Sequence, residues 1–321
     1  WLDLIMINIS NNEIEAKVFD FRVYNINKEN LYYSLTAAVL GASSGNTIEV
    51  WAGLYKENVV INTRVTIIGS GQTRTIIDGR YLDSPIRINS NGDYSKIKNL
   101  QVTRSFNSTA SCSSTTYGGI SIYYASDVTI DNVLFFESYN GLMASTINNL
   151  KITNSTFDKG SASGTYGLYI CGNYYTNQDS VLLENNIVKK YTYGIYLNSL
   201  YQGIDIYNNY IHDNTGYGIY FNSVSSGSYA QNNPMEIVDN RFVDNNYGVY
   251  RQDTSSSWGR YVLFKDNLVK SSSSYGVRCY YYCQDWTVEN NTFEGDNDQI
   301  YGWYSYYRGY RSKFGNNTFT G

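Results

Sequence analysis

One short phrase recurs through most of this 321-residue chain: apolar, any residue, Asn or Asp (usually Asn), any residue, apolar. It begins at Ile97-Lys98-Asn99 and returns as Ile130-Asp131-Asn132, Ile152-Thr153-Asn154, Leu183-Glu184-Asn185-Asn186 and Ile206-Tyr207-Asn208-Asn209. Later copies are Ile237-Val238-Asp239-Asn240, Phe264-Lys265-Asp266-Asn267, Val288-Glu289-Asn290-Asn291 and Phe314-Gly315-Asn316-Asn317. A second phrase follows it: aromatic, Gly, aliphatic, aromatic. Examples are Tyr166-Gly167-Leu168-Tyr169, Tyr193-Gly194-Ile195-Tyr196, Tyr217-Gly218-Ile219-Tyr220 and Tyr247-Gly248-Val249-Tyr250. Tyr275-Gly276-Val277-Arg278 and Tyr301-Gly302-Trp303-Tyr304 continue the series with variation.

Successive Asn/Asp positions lie 22 to 33 residues apart, and each unit holds two or three short period-2 strands with no helical stretch. That pattern excludes leucine-rich and helical repeats. It fits one coil of an all-β, right-handed, single-stranded parallel β-helix, whose equivalent residues stack ~4.8 Å apart. About ten such coils are expected. Asn suits the bend between two sheets because it tolerates a left-handed backbone, and its amide, stacked in register, can bond to the coils on either side.

Two domains are expected: a β extension over residues 1–33, and the β-helix over 34–321. Residues 1–27 carry β-patterned runs at Leu4–Ile9 and Ile14–Ile26 that precede the coils and could pair with another chain. Trp1 is not an initiator residue, and the sequence stops in mid-repeat, which is expected to leave strand edges open to pairing. Ser34 can cap a short helix over Leu35–Leu40 that covers the first coil. Strands are expected at Thr47–Trp51, Asn58–Ile61, Val65–Ile68 and Thr75–Ile77.

The run GNTIEVWAGLYKENVVI…VTIIGSG…TIIDG, with the later I-x-N-N-x-F and Y-G-I-Y phrases, resembles the pectate-lyase-like superfamily. That superfamily includes pectin methylesterases and NosD-type surface β-helices, and the resemblance covers residues 34–320. It implies the fold; the scaffold itself hosts lyases, hydrolases, esterases, adhesins and viral spikes. The NTD, DD, GHG and RIK signatures of galacturonan hydrolases are absent, as is the GxVDFIFG-like segment of the methylesterases. The only histidine, His212, stands in Ile211-His212-Asp213-Asn214, where a surface loop residue is expected.

Aligned by their Asn residues, the coils place Leu182, Asp205, Glu236 and Leu263 in one column, with Glu184, Tyr207, Val238 and Lys265 two residues on. Asp205 and Glu236 then sit ~4.8 Å apart on adjacent coils. Carboxylates so close repel unless a proton, a cation or another partner compensates them. Three readings follow: a solvated acidic face, a Ca²⁺ site, or a catalytic pair near the ~5 Å spacing of a retaining glycosidase. No cofactor is expected beyond that Ca²⁺.

Alternation after the Gly gives an outward column of Ser121, Met143, Tyr169, Tyr196, Tyr220, Tyr250, Arg278 and Tyr304. Tyr169, Tyr196, Tyr220 and Tyr250 are expected as an exposed ladder on which Arg278 stacks. Besides bracing the coil, flat rings at this spacing suit the apolar faces of sugars or a contact between subunits.

With 24 Lys+Arg against 28 Asp+Glu the net charge is -4, so the basic excess of a nucleic-acid binder is missing. No apolar run reaches the ~18 residues of a membrane span. Cys112, Cys171, Cys279 and Cys283 form no metal-type pair. If Cys279 and Cys283 bridge across Tyr280-Tyr281-Tyr282, that segment is a tight loop and Cys112 and Cys171 are left for a second bond; free buried thiols are the other reading. The expected role is structural or adhesive, outside the cell or on a cell or virion surface, with copies of the chain or glycans as partners. The alternatives are a divergent polysaccharide lyase or glycoside hydrolase acting on acidic polysaccharide, and a Ca²⁺-dependent glycan-binding module.

Overall fold

The computed structural model describes residues 3–10, 13–20, 22–106, 112, 117–172, 180–200, 203–222, 224, 234–252, 261–270, 272–280, 285–295, 297, 300–301 and 312–320, with side chains from residue 22 onward. Each coil runs through three short strands. In one coil these are Ile204–Tyr207, Tyr210–His212 and Tyr217–Asn222, and in the next Met235–Val238, Arg241–Val243 and Tyr247–Gln252. Equivalent strands pair in parallel and in register, so three columns of strands run along the coil axis. This is the right-handed parallel β-helix that the repeat demands.

The third column is a sheet of ten strands, from Val59–Ile61 to Ile300–Tyr301. Among the described residues its two edge strands have a neighbour on one side only. The body of the solenoid amounts to about eight turns, slightly fewer than the ten or so coils expected. Inward positions are aliphatic or aromatic and almost fully buried, among them Ile206, Ile237, Phe242 and Phe264, each at 0 % exposure. Alternation puts the other residues of each strand on the outer faces.

The two Asn positions divide the labour that the sequence pattern assigns to one. The first residue of the pair, such as Asn185, Asn208, Asp239, Asp266 or Asn290, takes positive φ between 51° and 57° at the bend. The second turns inward and stacks. Asn186, Asn209, Asn240, Asn267 and Asn291 are buried to within 2 %. Asn186 accepts on Oδ1 from Ser155 N at 2.9 Å, and the other four each accept from the backbone N–H and Nδ2 of the preceding Asn; for Asn240 these come from Asn209 at 2.9 and 3.0 Å. Each also donates from Nδ2 to a backbone carbonyl, in this case Ile206 O at 2.8 Å. A shorter ladder of Asn214 and Asn245 braces the turn into the third column, Nδ2 to Oδ1 2.9 Å.

The first coil is sealed as expected. Helix α1 spans Leu35–Leu40 with Ser34 as its cap, Ser34 Oγ accepting from Ala37 N at 3.1 Å. Glu57 accepts from Leu35 N and Thr36 N at 3.0 and 2.7 Å. Leu35, Ala38 and Val39 turn onto the end of the core. The observed strands Asn46–Val50, Val59–Ile61, Val65–Gly69 and Thr75–Asp78 match those expected to within a residue at each end. Val23–Asn25 adds antiparallel to Asn46–Val50. Asp3–Ser10 and Glu13–Asp20 form an antiparallel hairpin that pairs with no other strand among the described residues.

Candidate functional site

The outer face of the third column is built by the Tyr-Gly-aliphatic-aromatic phrase. Its glycine has a packing cause. A Cβ on Gly218 would lie 2.4 Å from Gly248 O, and one on Gly194 would lie 2.7 Å from Gly218 O. The backbones of successive coils therefore close up at this point. The tyrosine before the glycine is the first residue of its strand. Both tyrosines of each phrase then project outward in register.

Two columns of rings result. Tyr166, Tyr193, Tyr217 and Tyr247 stack with centroids 5.0 Å apart and planes within 19°. Tyr169, Tyr196, Tyr220 and Tyr250 stack at 4.9 to 5.3 Å with planes within 11°. Between the columns the rings meet edge to face, as for Tyr193 and Tyr196 at 5.3 Å and 82°. Both arrangements suit the ring quadrupole, and each pair adds about 0.5–1.5 kcal/mol beyond its burial.

This packing corrects two expectations. Rings in a column cover one another's faces, so the surface presents ring edges and hydroxyls instead of flat faces. The ladder is also covered at both ends, Tyr169 being 6 % and Tyr250 8 % exposed, with Tyr196 and Tyr220 half-buried between them. Tyr169 is covered because Cys112 is bonded to Cys171, Cα to Cα 5.7 Å, which sets the Cys112 sulfur 3.6 Å from the Tyr169 hydroxyl. Cys279 is disulfide-bonded, and Cys283 lies outside the described residues.

Beside the tyrosines runs a third outward column of Asn198, Asn222 and Gln252. Asn222 Nδ2 donates to Asn198 Oδ1 at 3.0 Å, and the Tyr220 hydroxyl donates to Gln252 Oε1 at 2.5 Å. The band is thus hydroxyl, ring edge and amide, repeated coil by coil. Its strands from Ile120 to Tyr301 contain no Asp, Glu, Lys or His. Burial and neighbouring phenols push Tyr166 up to about 12 and raise Tyr196. Burial also raises Tyr169, Tyr217 and Tyr250. Phenols held protonated in this way are poor proton acceptors.

Arg278 continues the outward tyrosine column, paired with Tyr250 on one side and Tyr301 on the other. The expected column ended on Tyr304. In the structure Tyr301 takes that place, because the register pairs it with Arg278, and Tyr304 lies outside the described residues.

The carboxylate pair lies on the first column. Asp205 and Glu236 are neighbours on adjacent coils as the alignment requires, flanked by Leu182 and Leu263. Tyr207, two residues from Asp205, donates its hydroxyl to Glu236 Oε2 at 2.5 Å. Half-burial and the charge of Glu236 raise the Asp205 pKa, partly offset by the bond with Tyr207. Burial and both carboxylates push the Tyr207 phenol upward. A phenol and a raised carboxyl pKa thus supply the compensation that the pair needs. His212 is in a strand, not a loop, with its ring stacked on Tyr210 at 4.1 Å and Nδ1 2.7 Å from Asp213 Oδ2.

A solenoid with one regular aromatic and amide face defines the class of protein. The chain belongs to the right-handed β-helix family, whose description, "Right handed beta helix region", matches residues 84–258. Residues 217–321 also match the description of the periplasmic copper-binding protein NosD. No curated protein matches the chain.

Among solved structures, the A-module of the Azotobacter vinelandii mannuronan C-5 epimerase AlgE4 superposes with a TM-score of 0.59 at 16 % identity, covering 89 % of each chain. The AlgE6 A-module from the same organism gives 0.49 at 14 %, covering 88 % of this chain and 93 % of that one. At such identities the likeness is one of fold alone. The donors present do not fit copper: among the described residues there is no free cysteine and no group of three His, Cys, Asp or Glu. Met143 and Met235 are buried. Among the described residues no helix is long and apolar enough to cross a membrane.

Proposed function

We propose that this chain is an adhesive β-helix that holds a linear glycan along its tyrosine and amide band. The observation that carries the reading is the register of that band. Tyrosine recurs beside tyrosine, and amide beside amide, at about 5 Å on successive coils, spacing set by the sheet itself. A surface that repeats at fixed intervals is suited to a polymer that repeats as well. Hydroxyls and amides hydrogen-bond sugar hydroxyls, and ring edges and tilted ring margins cover the C–H groups.

The band is read as binding without turnover. Elimination or epimerisation needs a group to take a proton, and hydrolysis needs a carboxyl pair. The strands of the band carry no Asp, Glu, Lys or His, and burial raises the pKa of Tyr166, Tyr169, Tyr196, Tyr217 and Tyr250. The disulfide between Cys112 and Cys171 fits an oxidising compartment, which supports a place outside the cytoplasm. Partners in this reading are glycans first, with further copies of the chain presenting parallel bands.

Retention on immobilised linear polysaccharides tests it. The wild-type chain is expected to be retained with no release of reducing or unsaturated ends. Tyr196→Ala combined with Tyr220→Ala should abolish retention while leaving the coil folded; unchanged retention in the folded double variant would sink the reading.

A second reading rests on the Asp205 and Glu236 pair, whose raised Asp205 pKa suits a general acid. Release of product ends that disappears in Asp205→Ala would favour it.

A further inference from the structure

Several cations of the described residues stand beside carboxylates. Lys189 and Lys190 share Asp158, at 3.1 and 3.4 Å. Lys270 meets Glu294 at 2.9 Å, and Arg87 meets Asp83 at 2.6 Å. Arg104 pairs with the buried Asp78. Arg278 is different. It occupies a position where the repeat places tyrosine, and its guanidinium has no ion pair among the described residues.

Instead, the guanidinium sits among the rings of Tyr247, Tyr250, Tyr275, Tyr280 and Tyr301, with centroids 5.4 to 5.9 Å from its central carbon. Nη1 donates a long bond of 3.4 Å to the Tyr247 hydroxyl. Nε is buried and has no hydrogen-bond partner. Ring faces stabilise the charge but leave the in-plane N–H groups of the fork without strong acceptors. A buried donor left unpaired costs about 1–3 kcal/mol, so the cage is incomplete as it stands.

We infer that Arg278 is an anion subsite at one end of the tyrosine band, and that the glycan bound there bears carboxylates. This rests on the glycan reading of the band and adds to it the class of sugar. The guanidinium fork matches a carboxylate by two parallel bonds, and the aromatic walls lower the local polarity and strengthen them. The strands of the band from Ile120 to Tyr301 contain no Asp or Glu to repel the ligand's charges. The geometry also fixes direction. One end of the band is closed by the Cys112–Cys171 bridge over Tyr169, and the charged end is Arg278.

The test titrates the full chain with a linear uronic-acid oligomer, and with the same oligomer after reduction of its carboxyl groups to alcohols. Wild type should bind the carboxylated form at least about tenfold more tightly, the gain of one charge-assisted bidentate contact. Arg278→Gln should remove that preference, the loss falling mainly on the carboxylated oligomer. Arg278→Tyr, which restores the repeat and extends the stack, should do the same and guards against misfolding of the glutamine variant. A preference that persists in either folded variant overturns the inference. So does equal binding of both oligomers by wild type, although the band would still be a glycan surface. Binding of neither oligomer counts against the band itself. A polyglutamate peptide bound as tightly as the uronate oligomer would overturn the assignment to glycans.

Discussion

Replacing Asn240 by alanine probes the ladder on which every outer column depends. The Asn240 Oδ1 accepts from Asn209 N and Nδ2, and its Nδ2 donates to Ile206 O, Val238 O and Asn267 Oδ1 at 2.8, 3.0 and 3.1 Å. Asn240→Ala strands the Asn209 N–H in a dry interior, which costs about 1–3 kcal/mol. Two inner carbonyls and one amide oxygen lose a donor as well, and a small void remains. Roughly 3–4 kcal/mol in total is expected, a large share of a stability of ~5–15 kcal/mol. Asp239→Ala, at the adjoining left-handed bend (φ 57°), should cost only about 1 kcal/mol, since no buried partner is stranded. Asn240→Asp should be at least as damaging as alanine, because a carboxylate cannot donate to Ile206 O and faces Asn267 Oδ1. Urea unfolding of the three variants, followed by circular dichroism and by hydrogen exchange at Asn209, reads these costs. A cost for Asn240→Ala no greater than that for Asp239→Ala would refute the ladder as the source of stability.

Other expectations follow from the same geometry. Gly218→Ala should open the third sheet, since the new Cβ meets Gly248 O at 2.4 Å. A loss of roughly 1–3 kcal/mol and of the near-ultraviolet tyrosine signal is expected. Asp205 has a raised pKa in the folded chain, so its contribution to stability is fully present below its unfolded pKa and is lost as pH rises through the folded one. Glu236→Gln should therefore raise the melting temperature at neutral pH but not in acid; the same gain at both would contradict the assignment. Asp158 behaves oppositely. Its burial is outweighed by the Gly160 N–H, Lys189 and Lys190, so its pKa is lowered. Its contribution is present above the unfolded pKa and lost as pH falls through the folded one, which Asp158→Asn melts compared across acid pH would show. Reducing Cys112–Cys171 should uncover Tyr169 and increase its labelling by a tyrosine-modifying reagent; unchanged labelling would contradict the covering role of Cys112.

The repeat made the coil legible because the fold is nearly one-dimensional, and each rung must solve the same packing problem. The Asp205 and Glu236 neighbourhood followed from that register alone. So did the outward column from Tyr169 to Arg278. What escaped the pattern depends on angles and on distant chain. Periodicity says that Tyr196 faces outward, but not that its ring lies flat on Tyr220. Two adjacent Asn residues look equivalent in sequence, yet the bend gives one the strained backbone and the other the buried amide. Tyr207 stood in the aligned column two residues from Asp205, a signal that a phenol was within reach of the pair. The burial of Tyr169 comes from Cys112, 59 residues away in sequence from the Cys171 it bridges, which no local pattern carries. In the last coil the phrase put Tyr304 in line with Arg278, whereas the register gives that place to Tyr301, three residues earlier.

The most direct measurement is a crystal structure of the chain with a bound linear uronic-acid oligomer. The account predicts the oligomer lying along the coil axis over Tyr193, Tyr196, Tyr217 and Tyr220, its hydroxyls meeting Asn198, Asn222 and Gln252 and one carboxylate on Arg278. An oligomer bound instead across Asp205 and Glu236, with the tyrosine band bare, would contradict it.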